Sequence, residues 1–125
     1  MKTLLFSLVL LGFNQIEAQN FSRKDSLQGG LREERTCYDV LRYNLDIKIN
    51  PTEKSIVGYN EIIFKVDDNT SKIQVDLFEN MKIESIVWKT KKLTYKREFN
   101  AVFIDFPEEL KKGTTQTITF NYSGN

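Results

Sequence analysis

The chain has 125 residues, 40% of them hydrophobic, and carries 18 Lys and Arg against 17 Asp and Glu for a net charge of +1. That length supports one small domain with a modest core, and the balanced charge leaves no electrostatic footprint for nucleic acid. With no His at all, zinc sites of the His-Glu-x-x-His kind and nucleophilic triads that use an imidazole base are excluded from this sequence.

Met1-Lys2-Thr3 is a positively charged start. It is followed by an apolar run from Leu4 to Phe13 that is too short to span a bilayer. Small Ala18 lies before Gln19, so residues 1–18 are expected to be a secretory signal peptide cleaved after Ala18, and the chain to be exported. Residues 19–37 are polar, mixed in charge and interrupted by Gly29-Gly30. No period is sustained there, and a flexible polar leader is expected. The single Cys37 has no internal disulfide partner and no His to activate it, so it reads as a packed thiol.

From Tyr43 to Ile49 apolar and polar residues alternate without a break, which predicts a strand burying Tyr43, Leu45, Ile47 and Ile49 on one face. Asn50 to Lys54 is a turn around Pro51. Ser55 to Val66 is a long strand with apolar residues on both parities, suggesting cover on both sides. Gly58 within it signals a bulge or a close approach by another element. Asp67 to Ser71 is a second turn. Strands follow at Lys72–Phe78, Met81–Trp88, Leu93–Phe99 and Ala101–Phe106, the last two joined through Asn100 in a tight hairpin. Pro107 to Gly113 is read as a connection with one helical turn closed by Gly113. Thr115 to Tyr122 alternates again. Seven short strands without an amphipathic helix predict an all-β, antiparallel β-sandwich or saddle-shaped curved sheet. The last strand is apolar and runs almost to Asn125, so the domain is expected to continue beyond this residue.

The search for chemistry returns no catalytic, cofactor-binding or metal-binding residue. The acidic pairs Glu33-Glu34, Asp67-Asp68 and Glu108-Glu109 are sequence neighbours in turns or the leader, where solvation explains them. Asp67 to Phe78 is spaced like a calcium loop, but Lys72 replaces the sharp-turn Gly and Phe78 the bidentate Glu. The Lys89–Arg97 stretch mixes basic residues with Tyr95, as single-strand nucleic-acid binders do. In a charge-balanced chain it reads as a solvated hairpin.

The order of the strand motifs resembles the opening of the N-terminal β domain of aminopeptidase N-type zinc peptidases. Tyr38-Asp39-Val40-Leu41-Arg42-Tyr43-Asn44-Leu45-Asp46-Ile47 is similar to that family's first strand, with Arg42 where the family often has His. Ile56-Val57-Gly58 with Ile62-Ile63-Phe64 resembles the second. Ile73-Gln74-Val75-Asp76-Leu77 with Met81-Lys82-Ile83-Glu84-Ser85-Ile86 resembles the next pair, and Leu110, Gly113, Ile118, Phe120 and Tyr122-Ser123-Gly124 resemble the closing segment. The resemblance implies that residues 38–125 are the first part of a β domain that packs against a downstream thermolysin-like catalytic domain. It also implies that zinc and the peptide substrates belong to that parent enzyme, which would remove N-terminal residues from peptides. None of the family's catalytic motifs maps onto this chain. The alternative is a self-contained secreted β-sandwich that binds through its loops.

Overall fold

In the computed structural model, which describes residues 20–125, the alternating segment from Tyr38 to Asn50 is strand β1, and it pairs antiparallel with Ser55–Val66 (β2). The turn between them is held by Asn50. Its Oδ1 accepts from the backbone N–H groups of Thr52 (3.1 Å) and Glu53 (3.2 Å), the side-chain mimicry that makes Asn a turn residue. Thr70–Asp76 (β3), Lys82–Trp88 (β4), Lys91–Lys92 (β5), Thr94–Glu98 (β6), Ala101–Leu110 (β7) and Thr115–Gly124 (β8) complete an all-β fold of two open antiparallel sheets. The large sheet runs β1-β2-β8-β4-β5 and the small one β3-β7-β6. The predicted signal peptide at residues 1–18 lies outside the described residues.

One parity of the large sheet faces the small one. Ile118 of β8 lies between Ile62 and Trp88, and Phe120 lies between Asn60 and Ile86. Fully buried Phe64 meets the Tyr38 ring edge-on at 5.3 Å, and Trp88 meets Phe106 edge-on at 5.5 Å, the geometry that aromatic quadrupoles favour. These rings, with Ile73, Val102, Ile104 and Ile118, form the core between the sheets.

The run Ala101-Val102-Phe103-Ile104 is buried at every position. Val102 and Ile104 face the main core, while Ala101 and Phe103 form a second cluster with Leu27. Leu27 comes from Arg23–Gly29, a helix (α1) that covers the outer side of the small sheet, so the expected flexible leader is corrected to two helices, α1 and Glu33–Thr36 (α2). The local cause is a Ser-x-x-Asp capping box. Ser22 Oγ accepts from the Asp25 N–H at 3.2 Å, and Asp25 Oδ2 accepts from the Ser22 N–H at 2.9 Å. Leu27 is 1% exposed, and its burial contributes about 1.5–3 kcal/mol to docking. Arg23 adds a two-pronged pair to Glu98, at 2.9 and 3.0 Å.

The Ser22 hydrogen bonds hold the Asp25 carboxyl below the usual carboxylate range, and the Arg23 pair does the same for Glu98. A depressed folded-state pKa stabilises the native form above the unfolded pKa and is lost as pH falls through the folded one. Acidification below about pH 4 is therefore expected to release α1 first. Leu27 methyl resonances should move toward random-coil positions before the Trp88 indole signal changes; simultaneous movement would contradict the assignment.

Three further expectations are corrected. Tyr43, Leu45 and Ile49 do share a face, but they are 57%, 60% and 68% exposed, because the small sheet does not reach that far along β1. The second apolar parity of β2 is not covered either: Val57 and Tyr59 lie on the open outer face. Pro107 does not begin a helical turn but continues β7, at an irregularity where the β3–β7 register jumps from Lys72↔Asp105 to Thr70↔Leu110. A proline is tolerated there because the bulged residues have no ladder partner. Gly113, at φ +84°, belongs to the β7–β8 turn. The expected hairpin through Asn100 is present, with Glu98 opposite Ala101, and the short β5 brings the strand count to eight.

Candidate functional site

The sequence offers no catalytic residue, so the site is built from what the fold brings together. The small sheet's edge strand β3 and the large sheet's edge strand β1 lie apart at one side of the sandwich, leaving an open concavity of about 350 Å³. Arg35 at the end of α2, Tyr38 and Tyr43 of β1, Asn60 of β2, and Gln74 and Asp76 of β3 line it, with Phe120 and Tyr122 at its floor.

Gln74 is the anchor. It is 1% exposed, and its Nε2 donates to the Leu27 carbonyl (3.0 Å) and to Asp76 Oδ1 (3.1 Å). Arg35 Nη2 donates to the same Leu27 carbonyl at 3.0 Å and pairs with Asp76. The Tyr38 hydroxyl donates to the Gln74 carbonyl at 2.6 Å, and burial raises its pKa above the ordinary phenol value. Three lining residues nevertheless keep a buried polar atom without a protein partner: Arg35 Nε, Asn60 Oδ1 and Gln74 Oε1. Such atoms are costly to bury unpaired. The arrangement holds donors and acceptors over an aromatic floor, which suits binding. It contains no nucleophile with an adjacent base.

The other features singled out in the sequence resolve into structural roles. Asp67 and Asp68 pair with Lys65 (3.4 Å) and Lys112 (3.2 Å), Glu108 with Lys89 (3.0 Å), Glu109 with Lys111, and Glu34 with Arg32 (3.5 Å). Five of the six carboxylates are thus matched by their own cations, Glu33 being the exception, and none is set against its sequence neighbour across a cleft. Cys37 is buried, and desolvation raises its thiol pKa, the opposite of what a nucleophile requires. Among the described residues no group of three or more His, Cys, Asp or Glu side chains could hold a metal ion. The residues present therefore do not fit a zinc site.

The Lys-rich stretch is divided between the two sheets, with β5 in one and β6 in the other. Its Arg97 turns inward as a clasp that sequence reasoning missed. Nη1 donates to the Met81 carbonyl (2.6 Å), Nη2 to the Leu77 carbonyl (2.8 Å), and Nε to the Phe99 carbonyl (3.2 Å). It thereby ties down the crossing from β3 to β4, where the chain passes between sheets.

Two open antiparallel sheets joined by such crossings define an all-β domain whose fold occurs within zinc peptidases. The M1 zinc metallopeptidase from Deinococcus radiodurans superposes with a TM-score of 0.65 at 21% identity, over 73% of this chain and 21% of that one. A two-domain M1 zinc metallopeptidase variant bound to L-tryptophan gives the same values, and one bound to L-arginine matches with a TM-score of 0.62 over 70% of this chain and 20% of that one. This chain thus spans about a fifth of the length of the structures it resembles. No family model matches the sequence, and no curated protein does. At this identity the likeness establishes the fold, which is the one expected from the order of the strand motifs.

Proposed function

We propose that this chain is the non-catalytic first part of the N-terminal β domain of an exported zinc metalloaminopeptidase whose downstream catalytic domain holds the zinc and removes N-terminal residues from peptides. The observation that carries the reading is the superposition of nearly three quarters of this chain on a fifth of an M1 zinc metallopeptidase. The absence of His from the sequence fits a division of labour in which this segment scaffolds and another reacts. The metal and the peptide-binding motifs would then be supplied by chain that follows this domain.

The test is the coding sequence downstream of the Asn125 codon in the source DNA. An open frame encoding Gly-x-Met-Glu-Asn and His-Glu-x-x-His is expected, and a stop codon directly after Asn125 would overturn the reading. Export is tested separately, by mass spectrometry of the protein recovered outside the cytoplasm. Its N-terminus should be Gln19, and an intact Met1 would refute cleavage after Ala18.

A further inference from the structure

The two sheets have four edge strands, and three of them are protected. β5 has two residues, β6 has five, and β3 is bulged near its start. β1 differs. It is also bulged, between Val40 and Arg42, but it has thirteen residues, continues past the bulge in unbroken pairing with β2 from Arg42 to Asn50, and contains no proline. A long, straight edge of this kind is a template for another strand. Its inner row, Leu45, Ile47 and Ile49, is 60%, 39% and 68% exposed. On its outer row Asp46 and Lys48 are exposed, and neither has an ion-pair partner among the described residues.

We propose that β1 pairs antiparallel with β1 of a second copy of this chain, about a two-fold axis through Ile47. In that register Asp46 lies opposite Lys48 of the second copy and Lys48 opposite its Asp46, so two ion pairs form and each uncompensated charge gains one partner. On the other face Leu45 lies opposite Ile49 and Ile47 opposite itself, joining the two exposed apolar rows into one strip, and Asn44 meets Asn50. Neighbouring registers lose this match. Centring on Leu45 sets Arg42 against Lys48, and centring on Asp46 sets that carboxylate against its own copy. The edge is thus self-complementary in charge and in hydrophobicity at a single register, as a two-fold interface requires. The result is one continuous ten-stranded sheet with a small sheet on each half.

Sedimentation equilibrium of the full chain over a range of concentrations is expected to show a monomer–dimer equilibrium. Asp46→Lys and Lys48→Asp should each weaken the dimer by about tenfold, because each creates two like-charged pairs, and the double exchange should restore it to within about threefold. Circular dichroism of each variant should match that of the parent chain, since both positions are exposed. A chain that stays monomeric throughout would overturn the proposal, as would single reversals that leave the dimer unchanged. If a longer product of the same gene exists and is monomeric with Ile47 shielded from solvent, following chain occupies the edge and the second copy does not.

Discussion

Gly58→Ala is expected to destabilise the protein by about 1–3 kcal/mol, although Gly to Ala at an unstrained site ordinarily stabilises by about 0.4–1 kcal/mol. A Cβ at position 58 would stand 2.1 Å from the Asp46 carbonyl oxygen and 2.9 Å from Ile47 Cα. Both are backbone atoms of β1, directly across the ladder, so no side-chain rotation can relieve the overlap. The strands must part, and the loss should centre on the β1–β2 hairpin. Gly29→Ala is the internal control, because nothing lies within 4 Å of its Cβ position and the residue ends α1. Urea denaturation followed by the fluorescence of buried Trp88 should move the midpoint down for Gly58→Ala and slightly up for Gly29→Ala. Equal, small shifts would show that β1 yields to the methyl group at no cost.

Phe64→Ala should cost more, about 3–5 kcal/mol. Phe64 is fully buried at the seam of the two sheets, with Tyr38 at 5.3 Å on one side and Phe106 at 6.4 Å on the other. Removing the ring deletes contacts from both layers and leaves a cavity that neither sheet can close alone. Against a typical total stability of about 5–15 kcal/mol, this removes about a third or more of the margin in most of that range, and the urea midpoint should fall accordingly. Ile49→Ala, in the same sheet but 68% exposed in the single chain, should change stability by less than about 0.5 kcal/mol when measured at a dilution where the chain is monomeric. A comparable loss at both positions would mean that the β1 face is covered in solution.

Strand existence and order were legible because each strand depends on local alternation and on turn residues. Ser55–Val66 has the bounds expected of it, and the two-residue hairpin at Phe99-Asn100 was visible as a polar break between apolar runs. Alternation reveals which residues share a face, but not what lies opposite that face. That is why the Tyr43 to Ile49 stripe was expected to be buried and is open. Cover on both sides was assigned to β2, whereas it belongs to β7. There the unbroken Ala101 to Ile104 run was the better signal, and Leu27 supplies the second cover. Helix α1 escaped notice because seven residues with one buried side chain carry no measurable helical period. Only the Ser22-x-x-Asp25 spacing marked it. The concavity had no local signature, since Arg35, Asn60, Gln74 and Phe120 are adjacent only after both sheets have formed. Arg97 was hidden for a similar reason. A basic residue in a basic stretch looks solvated until the carbonyls that it collects are in place.

The position of β8 constrains how the protein can be made. β8, the latest in sequence of the described strands, lies in the middle of the large sheet, between β2 and β4. Until Thr115–Gly124 is available, the β1–β2 hairpin and the β4–β5 pair have no common neighbour and the sheet is in two pieces. At about 5–20 residues per second the first hairpin waits several seconds, with its apolar face exposed, for the strand that joins the halves. Nascent-chain folding should therefore begin abruptly once β8 has emerged. Chains stalled before residue 115 are the species that chaperones must hold.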